Sequence, residues 1–525
     1  MLNLWRKGDG LLTNHIYYIS NIKMLRKIRV TLAVLFWLAV TLLFLDFTGV
    51  AHAWLGWTAK IQFLPAVLAL NVGVVIGLVA LTLVFGRVYC SVICPLGVMQ
   101  DFFGWMGKKS KKNRYTYSPA KNILRYSVLA LFVVALVAGV GAFVALLAPY
   151  SSYGRIAQNL LAPLWDWGNN LLAYFAERAD SYAFYTVDVW LRSVATLCVA
   201  VATLVVLAVL AWRNGRTYCN TICPVGTILG FLSRFALLRP VIDTSKCVNC
   251  GLCARNCKAS CINMAEHTVD MSRCVACMDC LEKCHTHAIS YTWRRSPATA
   301  SLESAKPAGN QAKKGADDSR RRFLGATIAV ATASAISAQD KIVDGGLAPV
   351  LEKKKPVSRA RIVPPGAQSL KNFYQHCTAC QLCVAACPNQ VLRPTGSLMT
   401  LMQPESSYER GYCRPECNIC SQVCPSGAIK PISVEEKSSI QIGHAVWVKS
   451  NCIPLTDGVE CGNCARHCPS GAIQMVPSDA DNPESVKIPV VNTARCIGCG
   501  ACENLCPARP FSAIYVEGNE QHKTI

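Results

Sequence analysis

Six cysteine runs constrain this sequence more than any other feature, because their spacing dictates what much of the chain can fold around. Two stand close together: Cys247-x-x-Cys250-x-x-Cys253-x-x-x-Cys257 and Cys274-x-x-Cys277-x-x-Cys280-x-x-x-Cys284. Three thiolates two residues apart wrap three irons of one [4Fe-4S] cubane, and the fourth Cys of such a run usually serves a neighbouring cluster. The expected sets are Cys247, Cys250 and Cys253 with Cys284, and Cys274, Cys277 and Cys280 with Cys257. Zinc takes paired Cys-x-x-Cys knuckles and needs no third and fourth Cys in one run. Lys258 and His285 stand where a bacterial ferredoxin has Pro after the fourth Cys, a departure that bears on the local turn and not on the ligands. Cys261 and Cys198 belong to no run and are read as structural.

Four more runs follow. Cys377, Cys380, Cys383 and Cys387-Pro, and Cys496, Cys499, Cys502 and Cys506-Pro, match the bacterial ferredoxin spacing in full. Between them Cys413, Cys417, Cys420 and Cys424-Pro, and Cys452, Cys461, Cys464 and Cys468-Pro, keep the pattern with the first ligand displaced by an insertion. A disulfide scaffold would have no use for a Pro after every fourth Cys. The spacing leaves two pairings open, neighbouring runs or a nested first-with-last arrangement. The expectation is six [4Fe-4S] clusters in α+β domains of bacterial-ferredoxin type.

The first 240 residues are different. Hydrophobic residues make up 52% of the chain and charged ones 16%, and the apolar excess gathers in long uncharged stretches. Residues 30–50, 63–85, 123–148 and 193–212 each have about the ~20 residues that a bilayer-spanning helix needs. Lys and Arg crowd the segment before the first stretch and the loop between the second and third, while the other two loops are poor in cations. By the positive-inside rule, both ends of a four-helix transmembrane bundle face the cytoplasm. The net charge of +22 is thus read as topology rather than as a nucleic-acid footprint.

After the second and fourth stretches come two near copies of one motif, Gly86-Arg-Val-Tyr-Cys90-Ser-Val-Ile-Cys94-Pro-Leu-Gly97 and Gly215-Arg-Thr-Tyr-Cys219-Asn-Thr-Ile-Cys223-Pro-Val-Gly226. The bundle therefore reads as a duplicated helical hairpin. A spacing of four would put both thiols of a copy on one helix face. Cys90, Cys94, Cys219 and Cys223 are candidate redox thiols, ligands of an extra metal centre, or buried packing residues. Arg87, Tyr89, Arg216 and Tyr218 are candidate partners of a quinone carbonyl or interfacial anchors.

No His lies within the spans to ligate a haem, and His52 sits in a loop. There is no Cys-x-x-Cys-His, no P-loop and no dinucleotide Gly fingerprint, so haem, flavin and nucleotide cofactors are not expected. Without a hydride carrier, a membrane quinol is the natural electron donor.

Residues 296–318 form a linker rich in Ala, Ser, Lys and Gly. Ser319-Arg-Arg-Arg-Phe-Leu324 and the mildly apolar stretch to Ala338 then carry the pattern of a twin-arginine export signal or membrane anchor, with one cleavage option after Ala335. The expected order is a membrane domain at 1–240, a cytoplasmic two-cluster domain at 241–295, the linker, the signal at 319–338, and an exported four-cluster domain at 357–525.

Residues 1 to about 295 resemble the NapH quinol dehydrogenase component through the two Cys-x-x-x-Cys-Pro motifs and the cluster pair. From Ser319 onward the chain resembles the exported NapG proteins of the MauM/NapG family, through the twin-arginine signal and four Cys runs. The resemblance implies an inner-membrane protein that oxidises quinol and passes electrons to a periplasmic cytochrome c or reductase, as in nitrate reduction. The alternative is a redox maturation or sensing factor that supplies electrons for assembly of another metalloenzyme.

Overall fold

The structure, a computed structural model, describes residues 5–109, 115–294 and 351–525. The linker and the export signal expected from sequence lie outside the described residues.

Helix α1 runs over Trp5–Leu45. Within it Met24–Leu45, and elsewhere α9 over Val194–Asn214, are the two described helices long and apolar enough to cross a membrane. The other two expected spans are interrupted, which corrects the expectation of four continuous ones. The stretch 63–85 forms α2 (Phe63–Leu68) and α3 (Val72–Phe85), separated where Leu70 takes a φ of 53° and Asn71 caps α3 through Val74 N. The stretch 123–148 forms α6 (Asn122–Val137) and α7 (Gly141–Leu147), separated at Gly139 with a φ of 75°, and α8 (Pro149–Ile156) follows. Both breaks keep their backbone groups bonded: Asn71 N donates to Ala66 O, and Val140 N to Ala135 O, each at 2.9 Å. A broken helix is tolerated in apolar surroundings only when its freed groups find partners in this way.

Each Cys-x-x-x-Cys-Pro motif is a short helix followed by a second one: α4 (Val88–Val92) and α5 (Pro95–Lys109) in the first copy, α10 (Thr217–Thr221) and α11 (Pro224–Leu232) in the second. The helices stop between the two Cys because Pro starts the next one. The two thiols of a copy therefore do not share one helix face, as the spacing alone implied.

Two small cluster-type modules sit at opposite ends of this helical unit. At the end marked by Arg29, the proximal end, strands β1 (Leu238–Ile242) and β2 (Ile289–Trp293) pair antiparallel and close off the segment carrying the first two Cys runs. That module is fixed to the helices by ion pairs: Arg26 to Asp279 (3.0 Å) and Glu282 (2.8 Å), and Lys258 to Asp101 (2.9 Å). At the other, distal end lies the module of residues 351–525. It is built on antiparallel pairs that include β3 (Ile440–Trp447) with β4 (Ile514–Thr524). It docks on the helix breaks and nearby loops. Asn159 donates to Gln381 Oε1 (3.0 Å), Arg192 donates to Val384 O (2.9 Å), and the guanidiniums of Arg393 and Arg410 lie 4.5 and 4.7 Å from the Trp190 ring centre. One apolar core runs from Val40 through the helices into both modules, reaching Ile289 on one side and Ile429 on the other.

Candidate functional site

The two motif copies meet in the helical unit beside the proximal module, where Arg216 N donates to Lys258 O (2.8 Å) and Arg87 to Ser272 O (3.1 Å). Cys90, Cys94, Cys219 and Cys223 are each 4% exposed, and each copy's thiols have the other copy's among their electrostatic neighbours. The contact is reciprocal. Arg87 donates to Cys219 O (3.1 Å) and lies 3.9 Å from its own Cys90 Sγ; Arg216 donates to Cys90 O (2.8 Å) and lies 3.9 Å from its own Cys219 Sγ. Gly97 and Gly226 make that approach feasible, since a Cβ on either would stand 2.2 Å from the carbonyl of Cys90 or Cys219. Burial pushes the Cys94 thiol up, with Cys90 and Cys219 adding to the effect. Burial would also raise the Asp101 carboxyl, but Arg216, Lys258 and Arg29 override it and hold the group well below the usual carboxylate range.

Arg87, Tyr89, Arg216 and Tyr218, considered above for a quinone carbonyl, are all committed within the protein. Arg87 also donates to Asn220 Oδ1 (2.9 Å), Tyr89 to Gln62 Oε1 (3.0 Å), Arg216 to Asp101 (2.7 Å) and Tyr218 to Leu147 O (3.1 Å). They hold the helices in place and offer little to a ligand.

The remaining run cysteines gather in six sets of four. At the proximal end Cys253 has Cys284, Cys247 and Cys250 for neighbours (site 1), and Cys280 has Cys277, Cys274 and Cys257 (site 2). In the distal module Cys383 has Cys380, Cys377 and Cys424 (site 3), and Cys420 has Cys413, Cys387 and Cys417 (site 4). Cys499 and Cys502 join Cys496 and Cys468 (site 5), and Cys464 joins Cys461, Cys452 and Cys506 (site 6). The fourth Cys thus crosses between neighbouring runs, which resolves the pairing that spacing left open.

The loops are shaped for this. In the four regularly spaced runs the residue before the second Cys is left-handed, namely Asn249 (54°), Ala276 (49°), Ala379 (53°) and Gly498 (74°), and so is the residue after it, Gly251, Met278, Gln381 and Gly500. Non-Gly residues rarely adopt such angles. Here they turn backbone N–H groups toward sulfur, as Ala379 does for Cys377 and Ala501 for Cys499, the nest geometry that binds anionic groups. The thiols of site 6 line an apolar hollow with Trp447, and those of site 2 another with Val275 and Tyr291. Four convergent thiols around an apolar hollow, met by N–H donors, fit an iron–sulfur cluster.

Cys261, read as structural, lies in this hollow, its Sγ 3.5 Å from Cys257 Sγ and hydrogen-bonded also to Cys274. Nothing in the run spacing marked it. Cys198 is exposed on α9, away from the other sets.

The distal sites adjoin one another. Cys413 N donates to Cys499 O (2.9 Å), joining sites 4 and 5, and Cys464 neighbours Cys502, joining 5 and 6. Site 3 lies against the helical unit, where Tyr150 and Arg155 have Cys380 as a neighbour.

Such a set of sites defines an iron–sulfur electron-transfer protein, and the comparisons agree. Residues 68–113 and 196–242 match the 4Fe-4S binding domain, and residues 459–509 the 4Fe-4S dicluster domain. The methylamine utilization ferredoxin-type protein MauM of Methylophilus methylotrophus is 30% identical over 167 residues, 30% of this chain and 71% of that protein. The ferredoxin-type protein NapG of Escherichia coli K12 is 30% identical over 203 residues, 36% of this chain and 80% of NapG. NapF of the same strain is 29% identical over 162 residues, 30% of this chain and 87% of NapF. The chain belongs to the ferredoxin-type family of MauM and NapG. No solved structure matches it.

Proposed function

We propose that this chain is a multi-pass inner-membrane protein that takes electrons from quinol and delivers them to a periplasmic one-electron acceptor, a cytochrome c or a reductase fed by one. The observation that carries this reading is the seating of two cluster modules on opposite ends of one apolar helical unit. In this reading sites 1 to 6 hold six [4Fe-4S] clusters, which supply single-electron steps when bound. The NapH-like half and the NapG-like half are joined in one chain, with sites 1 and 2 cytoplasmic and sites 3 to 6 across the membrane.

Quinol has a suitable place at the distal end. A mainly apolar cavity of about 590 Å³ is walled by Leu42, Leu45, Asp46, Trp54, Trp165 and Phe184. Asp46 accepts from His52 Nδ1 (3.2 Å), and His52 Nε2 is buried without a partner among the described residues. On the other face of α1, Phe44 packs on Tyr150 at 6.0 Å between ring centres, and Tyr150 neighbours Cys380 and Cys424 of site 3. Helix α1, about 10–12 Å across, and Tyr150 stand between the cavity and site 3. Quinol oxidation releases two protons and two electrons. Asp46, which lines the cavity and is held in place by His52, takes the protons in turn and passes them to the distal solvent, while the electrons leave singly toward site 3.

The test is anaerobic mixing of the purified protein with a menaquinol or ubiquinol analogue, followed by EPR. Cluster reduction is expected, slower in His52→Gln and unchanged there with dithionite. If no quinol potential reduces any cluster in the wild-type protein, the dehydrogenase reading fails. A second reading, a maturation factor feeding electrons outward from the cytoplasm, draws on the exposure of Cys250 at site 1, where a soluble donor would dock. It expects the protein to be required only while its partner enzyme is being assembled.

A further inference from the structure

We infer that Arg155 and Tyr150, two residues of the helical unit, raise the reduction potential of site 3 in the distal module and so make it the place where electrons enter that module. This rests on the reading of site 3 as a cluster site and holds whatever the electron donor.

Both residues lie on α8, which is buried along its whole length although Tyr, Ser and Arg make up most of it. Polar side chains in such a place need partners. Gly154 brings α8 hard against the loop of site 3: a Cβ there would stand 2.3 Å from Cys380 O and 2.8 Å from the Phe44 ring. Tyr150 stands one turn before this contact and Arg155 one residue after it. Each has Cys380 as a neighbour, and Tyr150 has Cys424 as well.

Arg155 is fully buried, and its donors meet only neutral groups. Nη1 donates to Ala145 O (2.7 Å) and Nη2 to Ser152 Oγ (3.2 Å), while Nε is buried without a partner among the described residues. The titratable groups that face it are the Tyr218 phenol and the Cys380 thiol, and no carboxylate is among them. A guanidinium keeps its charge, and a buried charge left unpaired is strongly destabilising. The hydroxyl of Tyr150 is also buried without a partner among the described residues, whereas a buried Tyr O–H ordinarily finds an acceptor. An anionic cluster on Cys377, Cys380, Cys383 and Cys424 provides the counter-charge for one and sulfur acceptors for the other.

Burial penalises the more highly charged state of any group, so apolar surroundings oppose adding an electron to an anionic cluster. Net charge, hydrogen bonds to sulfur and solvent exposure together set the potential. A fixed cation and an O–H donor beside the sulfurs act against the burial and raise it. Residues 351–525 carry neither group near site 3 themselves, so seating the module on the helices changes what its first cluster does. One electron is gained there as the donor loses one, while Arg155 keeps its protons and no bond forms or breaks.

The experiment is an EPR-monitored redox titration of the full-length protein, purified anaerobically in detergent, with total iron measured beside it. Cys383→Ser identifies the site 3 component as the signal it alters. Arg155→Gln should lower the midpoint of that component alone, with iron content unchanged, and Arg155→Lys, which keeps the charge, should restore most of it. A merely structural role predicts the opposite sign, since a loosened contact admits water and eases the reduction of a buried anionic cluster. Should Arg155→Gln fail to fold, Tyr150→Phe is read instead; it keeps the ring on Phe44 and loses the hydroxyl, and a smaller fall is expected. An unmoved or raised midpoint in Arg155→Gln, a fall shared by the other components, an equal fall in Arg155→Lys, or an unmoved midpoint in Tyr150→Phe would each overturn the inference. If Cys383→Ser alters no signal and removes no iron, site 3 holds no cluster, and the six-cluster reading falls together with the inference.

Discussion

Arg87 of the first Cys-x-x-x-Cys-Pro copy donates its 3.1 Å hydrogen bond to the carbonyl of Cys219 in the second, and the bond is returned by Arg216 to Cys90. Gly97 and Gly226 are the residues over which these arms pass. A methyl group on Gly97 would meet Cys90 O at 2.2 Å and Arg216 Nη1 at 2.7 Å, and one on Gly226 would meet Cys219 O at 2.2 Å and Arg87 Nη2 at 2.9 Å. Gly97→Ala and Gly226→Ala are each expected to destabilise the protein by ~1–3 kcal/mol or more, as overpacking does. Gly77→Ala, where nothing lies within 4 Å, should be neutral or stabilising by up to ~1 kcal/mol. Thermal unfolding in detergent, followed by intrinsic fluorescence, compares the three.

Trp190 is the clamp for the distal module. Two guanidiniums over its ring contribute ~0.5–2 kcal/mol each. Trp190→Ala should therefore loosen the docking of residues 351–525 without unfolding them, seen as faster limited proteolysis near the docking surface with the iron content unchanged.

His522 on β4 is half-buried with both ring nitrogens out of solvent and unbonded, and burial lowers its pKa to about 4. The free imidazole titrates near ~6.5, so between these values the unfolded chain binds the proton and the folded chain does not. Stability contributed by the neutral ring is complete above ~6.5 and falls as pH drops toward about 4. His522→Phe should flatten that part of the profile, measured by denaturant unfolding at a series of pH values.

Cys261 places a thiol against two ligands of site 2, and its hydrogen bonds to Cys257 and Cys274 keep that thiol protonated well above its ordinary range. Hydrogen bonds to cluster sulfurs raise reduction potentials. Cys261→Ala should lower the midpoint potential of one proximal cluster in an EPR-monitored titration while iron content stays the same.

Much of this was legible in the sequence because iron–sulfur spacing is a local code. The sets expected at sites 1 and 2 follow directly from the Cys-x-x-Cys-x-x-Cys pattern with the fourth Cys crossing over. What was not legible depends on contacts distant in sequence. Hydropathy treats residues 63–85 as one uniform stretch, and it takes the distal module, with Gly427 against Ala69, to give the interruption at Leu70 a surface to serve. The commitments of Arg87 and Tyr218 were hidden for the same reason, since Cys219 and Leu147 become their partners only once the two repeats pack. Cys261 was missed because a ligand's neighbour leaves no mark on the ligands' spacing.

The crossing of the fourth cysteine sets an order on how the protein can be built. A ribosome that has delivered Cys377, Cys380 and Cys383 has not delivered a complete set, because the closing thiol is Cys424, while Cys387, already made, waits for Cys413, Cys417 and Cys420. The last set waits for Cys506, close to the end of the chain. In the proposed six-cluster reading, metal loading of the distal module is thus a late, paired event, and a truncation before Cys506 leaves site 6 open however well the earlier residues have folded.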